Sequence, residues 1–149
     1  MELEKEIQQK QFQNEYQKLM VNIFYTNGWL TSLHAKFLKP YGISAQQYNL
    51  LRILRGQHPN PATINLLKER MLDKMSNASR LVEKLRLKGL AERHECPMDR
   101  RAVDVIITQK GLDLLKALDN VTQSMEEKLK AITEAEANEA NRILDKLRG

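Results

Sequence analysis

Two clusters of side chains near the middle of the chain have the chemistry to grip a polyanion. In KMSNASRLVEKLRLKG, residues 74–89, Lys74, Ser76, Asn77, Ser79, Arg80 and Lys84 fall on one side of a stretch with helical periodicity. Short hydroxyl and amide groups let a helix backbone come close to a surface, and Arg then reaches a phosphate or a guanine edge. Met75, Ala78, Leu81, Val82 and Leu85 form the opposite, apolar face, which is expected to anchor the helix on a core. Gly89 supplies a C-terminal stop, because glycine takes the left-handed conformation without a Cβ penalty. The second cluster is Asp99-Arg100-Arg101, in a charged turn between two strand-like runs. An Arg pair at such a tip suits a phosphate backbone or a narrow minor groove, with Asp99 fixing the direction of a neighbouring Arg.

The charge distribution agrees with these clusters. The net charge is +5, and residues 68–101 hold ten Lys/Arg against six Asp/Glu, while residues 102–149 hold seven against nine. The basic excess is therefore central, which leaves the ends for another task. With 149 residues, of which 42% are hydrophobic, the chain has the length of one domain and enough apolar residues to bury a core. No apolar run approaches the length of a membrane span, and the opening MELEKEIQQKQ is polar, so a cytoplasmic protein without membrane association is expected. A single cysteine, Cys96, excludes an internal disulfide framework and a cysteine-only zinc site.

Around the clusters, the elements are expected in the order α-α-α-α-β-β-α-α. Apolar residues from Phe12 to Phe37 recur at spacings of three and four, with a kink or break expected at Asn27-Gly28 and an end at Pro40 and Gly42. Ser44 with Gln47 is a capping box for the next helix, and Asn60-Pro61 is expected to start a third. Two short helices joined this closely make a helix-turn-helix candidate. LAERHEC and AVDVIIT then read as a β-hairpin, in which Val103, Val105 and Ile107 alternate. Thr108 caps a long helix with an apolar stripe, and Thr133 with Glu136 forms a capping box for the last one. The fold class is mainly α with a small β-hairpin wing, a winged helix-turn-helix. Residues 44–111 are expected to form its DNA-binding region. Residues 1–43 and 112–149 are expected to form a helical dimerisation region, the whole being one continuous unit. In such a motif the second helix enters the major groove with its N-terminal residues at base edges.

LKERMLDKMSNASRLVEKLRLKGLAERHECPMDRRAVDVIITQKG, residues 67–111, resembles the DNA-binding core of the MarR family of bacterial transcriptional regulators. Its most specific parts are the D-R-R wing with the following strand and T-x-x-G, residues 99–111, and RLVEKLRLKGL, residues 80–90. The turn departs from the family pattern of Gly, an apolar residue and Ser, having Leu72, Asp73 and Lys74 instead, with Asp73 as a possible cap. Cys96 stands where the wing often has an acidic residue. The resemblance implies a homodimer with intertwined terminal helices, acting on double-stranded DNA at a pseudo-palindromic operator, as a repressor. It also implies a small aromatic or phenolic effector, for which Trp29, Leu33, Phe37 and Tyr48 are the candidate pocket.

Two other readings compete. A winged helix can serve protein contact alone, and Cys96, near His94 and Arg100, could be a redox-sensing thiol. An enzyme is disfavoured, because the chain has no glycine-rich phosphate loop and no recognisable nucleophile–base spacing. No cofactor is expected. No metal is expected either, because His34, His58 and His94 are scattered over three elements.

Overall fold

The computed structural model describes residues 1–96 and 98–149, without the side chains of Cys96, Arg100 and Arg101. The chain forms two compact units, Met1–Phe37 and Leu38–Gly149. In the first, a short helix α1 (Leu3–Glu6) precedes the long helix α2 (Glu15–Leu38). Leu3 is buried, the Lys18 ammonium pairs with the Glu4 carboxylate, and the Tyr25 hydroxyl donates to Glu6 Oε2 at 2.7 Å.

The expected break at Asn27-Gly28 does not occur, and α2 runs through both residues. The interruption lies earlier. Gln8 takes a positive φ of 55°, and Asn14 starts α2 by accepting from Gln17 N through its side chain at 2.9 Å. A single glycine weakens a helix by only about 1 kcal/mol, too little to stop one of 24 residues.

The second unit opens with a 3-10 turn, Lys39–Tyr41, closed by Gly42 in the left-handed conformation at φ 70°. Helix α3 (Ala45–Gln57) follows behind the complete Ser44–Gln47 capping box. Next come β1 (Ala62–Thr63), α4 (Ile64–Arg70) and α5 (Ala78–Leu87). The wing is β2 (Ala91–Cys96) and β3 (Asp99–Ile107), and the chain ends in α6 (Gln109–Leu129) and α7 (Glu134–Arg148). Thr108 and Thr133 cap α6 and α7 as expected. The sheet is antiparallel in the order β1-β3-β2, so it has three strands where the sequence predicts two. Ala62 pairs with Val105 and Thr63 with Asp104. That pairing delays α4: its cap is Thr63, which accepts from Leu66 N at 3.1 Å, and not Asn60 with Pro61.

Val103, Val105 and Ile107 turn inward and alternate with half-buried neighbours. Their face meets a core of fully buried side chains that includes Leu50, Leu54, Leu67, Val82 and Leu85. Deleting one such leucine side chain typically costs 2–5 kcal/mol. This core is the platform that holds α5. No helix among the described residues is long and apolar enough to cross a membrane.

Candidate nucleic-acid interface

Helix α5 is anchored through Ala78, Val82 and Leu85, all buried, with Leu81 half-buried. Its opposite side presents Ser79, Arg80 and Lys84 to solvent. The helix begins four residues later than its periodicity suggests. Asn77 is its cap, exposed and accepting from Arg80 N through Oδ1 at 3.1 Å, a bond that does not use the donors of its side-chain NH2. Glu83 is engaged by Arg86 in a two-point pair at 2.9 and 2.7 Å, and that hydrogen bond holds its carboxyl below the usual carboxylate range. Arg80 and Lys84 form no salt bridge among the described residues. The polar face of α5 therefore carries positive charge, and the helix's one carboxylate is committed to Arg86.

Lys74 and Ser76, expected on the helix, lie in the turn before it. The Lys74 ammonium donates to the Glu69 carbonyl at the end of α4. Asp73 does not cap α5. Its Oδ1 accepts from Met75 N at 2.9 Å and its carbonyl from Ser76 N at 3.1 Å, which closes the turn one step earlier. Leu72 N donates to Asn49 Oδ1 of α3 at 2.9 Å. Met75 is not an anchor, being 92% exposed, and the Ser76 hydroxyl is buried without a hydrogen-bond partner among the described residues. Asn49 is a residue that sequence reading misses, because its partner lies 23 positions away.

The C-terminal end of α5 is closed by two backbone bonds, Leu90 N to Leu85 O at 3.0 Å and Gly89 N to Arg86 O at 2.9 Å, with Gly89 at φ +73°. This is a Schellman closure completed by buried Leu90 and Leu85. Thr108 then joins this end to α6: its hydroxyl donates to Gly89 O at 2.7 Å and accepts from Gly111 N at 3.1 Å. A Cβ on Gly111 would stand 2.4 Å from Leu90 O, so the glycine of T-x-x-G is required by packing. The Lys88 ammonium bridges Gly42 O and Gln47 Oε1 at 2.6 and 2.9 Å.

In the wing, β2 and β3 pair regularly from Ala91 with Ile107 to Glu95 with Val103, and the register shifts before Cys96 meets Asp99. Asp99 is exposed at the start of β3, followed in the strand by Arg100 and Arg101. The roles expected for the Arg100, Arg101 and Cys96 side chains lie outside the described residues. Of the pocket candidates, Trp29, Leu33 and Phe37 lie on α2. Tyr48 lies on α3, buried, with its hydroxyl 2.7 Å from Thr122 Oγ1 and Arg52 over its ring. An open cleft of about 580 Å³, lined by Tyr41, Ile43, Leu87, Lys88, Leu90 and residues of α6, is not foreseen from the sequence, and its two lysine ammonium groups are already bonded to Gly42 O and Gln47 Oε1 and to Lys88 O. Its walls come from three separate elements.

A helix-turn-helix with a two-stranded wing, carrying a cationic polar face on its second helix, defines a winged-helix protein of the kind that regulates transcription. The sequence profile of the MarR family matches residues 41–102. A MarR transcription factor from Planctomyces limnophilus is 29% identical, with 91% of this chain and 98% of that one covered at a TM-score of 0.70. A mutant MarR from E. coli, solved in complex with operator DNA, is 26% identical, with 93% and 99% covered at a TM-score of 0.77. The HTH-type transcriptional repressor IacR of Pseudomonas putida is 25% identical over 125 residues, which is 78% of this chain and 74% of that protein. Residues 41–102 are thus similar to the MarR family, and these relatives are transcriptional regulators.

Proposed function

We propose that the protein is a cytoplasmic, ligand-responsive repressor that binds a pseudo-palindromic operator as a homodimer. The observation that carries this reading is the solvent face of α5, where Ser79, Arg80, Lys84 and the Asn77 amide stand together while the helix's one carboxylate, Glu83, is held by Arg86. In the major groove, Arg80 takes a base edge or phosphate, Lys84 a phosphate, and Asn77 and Ser79 base edges or phosphates. Ser76 joins them if its side chain rotates outward, and Lys74 if it leaves the Glu69 carbonyl. On the wing, Asp99 braces, Arg100 meets a phosphate and Arg101 enters the minor groove.

The dimer reading is supported within each unit. On α2, Tyr16, Met20 and Phe24 are exposed. On α7, Ile143, Leu144 and Leu147 form an exposed stripe, and none of the 15 residues is buried. An isolated helix of that length is marginal in water, so a second copy covering the stripe accounts for it. Residues 1–43 and 112–149 then form the dimerisation region around a DNA-binding region at 44–111, and two α5 helices reach half-sites about one DNA turn apart.

For the effector, Trp29, Leu33, Phe37 and Tyr48 remain candidates. The test is binding of the full chain to DNA upstream of its own gene across a salt series, with and without a panel of aromatic acids. Affinity falling steeply with salt, and falling further with one acid, is expected. Flat salt dependence would favour a protein-contact module.

A further inference from the structure

The turn leading into α5 places its side chains against the ordinary preference of a protein surface. Met75 is 92% exposed and Leu72 87% exposed, whereas the Ser76 hydroxyl is buried without a partner among the described residues. A thioether in water forfeits its transfer free energy, and a buried unpaired hydroxyl carries a desolvation penalty. The turn is also pinned, which makes the arrangement specific: Asp73 holds the amides of Met75 and Ser76, and Asn49 holds that of Leu72. The neighbours narrow the choice of partner. Asp73 is the sole acidic residue between positions 70 and 82, and it is spent on the backbone, while Lys74 and Arg80 supply positive charge. An apolar protein surface would leave those cations unmatched. A DNA major groove offers phosphates beside an apolar group on a base edge, the thymine 5-methyl.

We infer that Met75 reads a thymine 5-methyl group, so that thymine at the position facing the turn is part of the operator's specification. This rests on the DNA-binding reading above. The turn that presents Met75 departs from the family pattern at Leu72, Asp73 and Lys74, which makes this contact a property of this chain.

The test uses the full chain and one duplex selected from a random pool for tight binding, prepared with thymidine or with deoxyuridine. The two forms differ only in 5-methyl groups. Wild-type protein is expected to bind the uracil form about fourfold more weakly for each methyl that Met75 touches, and that factor squared where both half-sites take part. Met75→Ala is expected to lose the same factor on the thymine duplex and to bind both forms alike. Equal wild-type binding to both forms, or wild-type discrimination retained by Met75→Ala, overturns the inference and leaves DNA binding intact. Enrichment of no duplex at all overturns both readings.

Discussion

The two ends of α5 are built in opposite ways. Its C-terminal end is joined to three other parts of the fold: Lys88 reaches Gly42 and Gln47, Thr108 reaches Gly89, and Lys110 donates to Lys88 O. Its N-terminal end is approached by a short turn held by a few local hydrogen bonds and one from Asn49, with large apolar side chains facing water. A helix that reads DNA with its first residues needs this asymmetry. The fixed end sets the angle at which α5 leaves the domain, and the lightly built end is free to carry recognition side chains. Stability is therefore expected to concentrate at one end and binding at the other.

The strongest way to break that contrast is Gly111→Ala. The added methyl would meet Leu90 O at 2.4 Å and Ile107 Cγ1 at 2.7 Å, and neither backbone nor a buried strand residue gives way easily. A loss of roughly 3 kcal/mol is expected in urea unfolding, and an unchanged midpoint would show that this junction is softer than its geometry implies. Thr108→Val keeps the shape and removes the hydroxyl that serves Gly89 and Gly111. It is expected to cost about 1–2 kcal/mol in the same measurement.

At the other end, Asn77→Ala removes the cap and is expected to cost about 1 kcal/mol. Met75→Ala should stay within about 0.5 kcal/mol of wild type, because nothing buried changes. A larger loss would mean that the turn is structural. The smallest effect belongs to Glu83, within α5. Its carboxyl is held below the usual range by the hydrogen bond from Arg86, so its contribution is present above that range and lost as the pH falls through the lowered value. Glu83→Gln should remove this shallow acid-side slope from a thermal melt.

What could be read from sequence follows the range of each interaction. The caps at Ser44, Thr108 and Thr133 are legible because each bonds a backbone N–H three residues on. The alternation of Val103, Val105 and Ile107 is legible for the same local reason. Strand β1 is not legible, since Ala62 and Thr63 are two ordinary residues made into a strand by partners more than forty positions later. The start of α5 misled for a different reason. Met75 continues the helical period of Ala78, Val82 and Leu85, but the Asp73 carboxylate captures its amide and turns it outward. The polar half of the face, Ser79, Arg80 and Lys84, is where the periodicity places it.

The most direct test is the affinity of an Arg80→Ala, Lys84→Ala double variant for a selected duplex, measured by anisotropy across a salt series. Both side chains are exposed, so the thermal midpoint should match wild type. DNA affinity is expected to fall by at least on the order of tenfold, and the salt slope to shrink by about 0.9 for each phosphate no longer neutralised. Wild-type affinity and slope in the folded double variant would contradict the assignment of α5 as the DNA-reading helix.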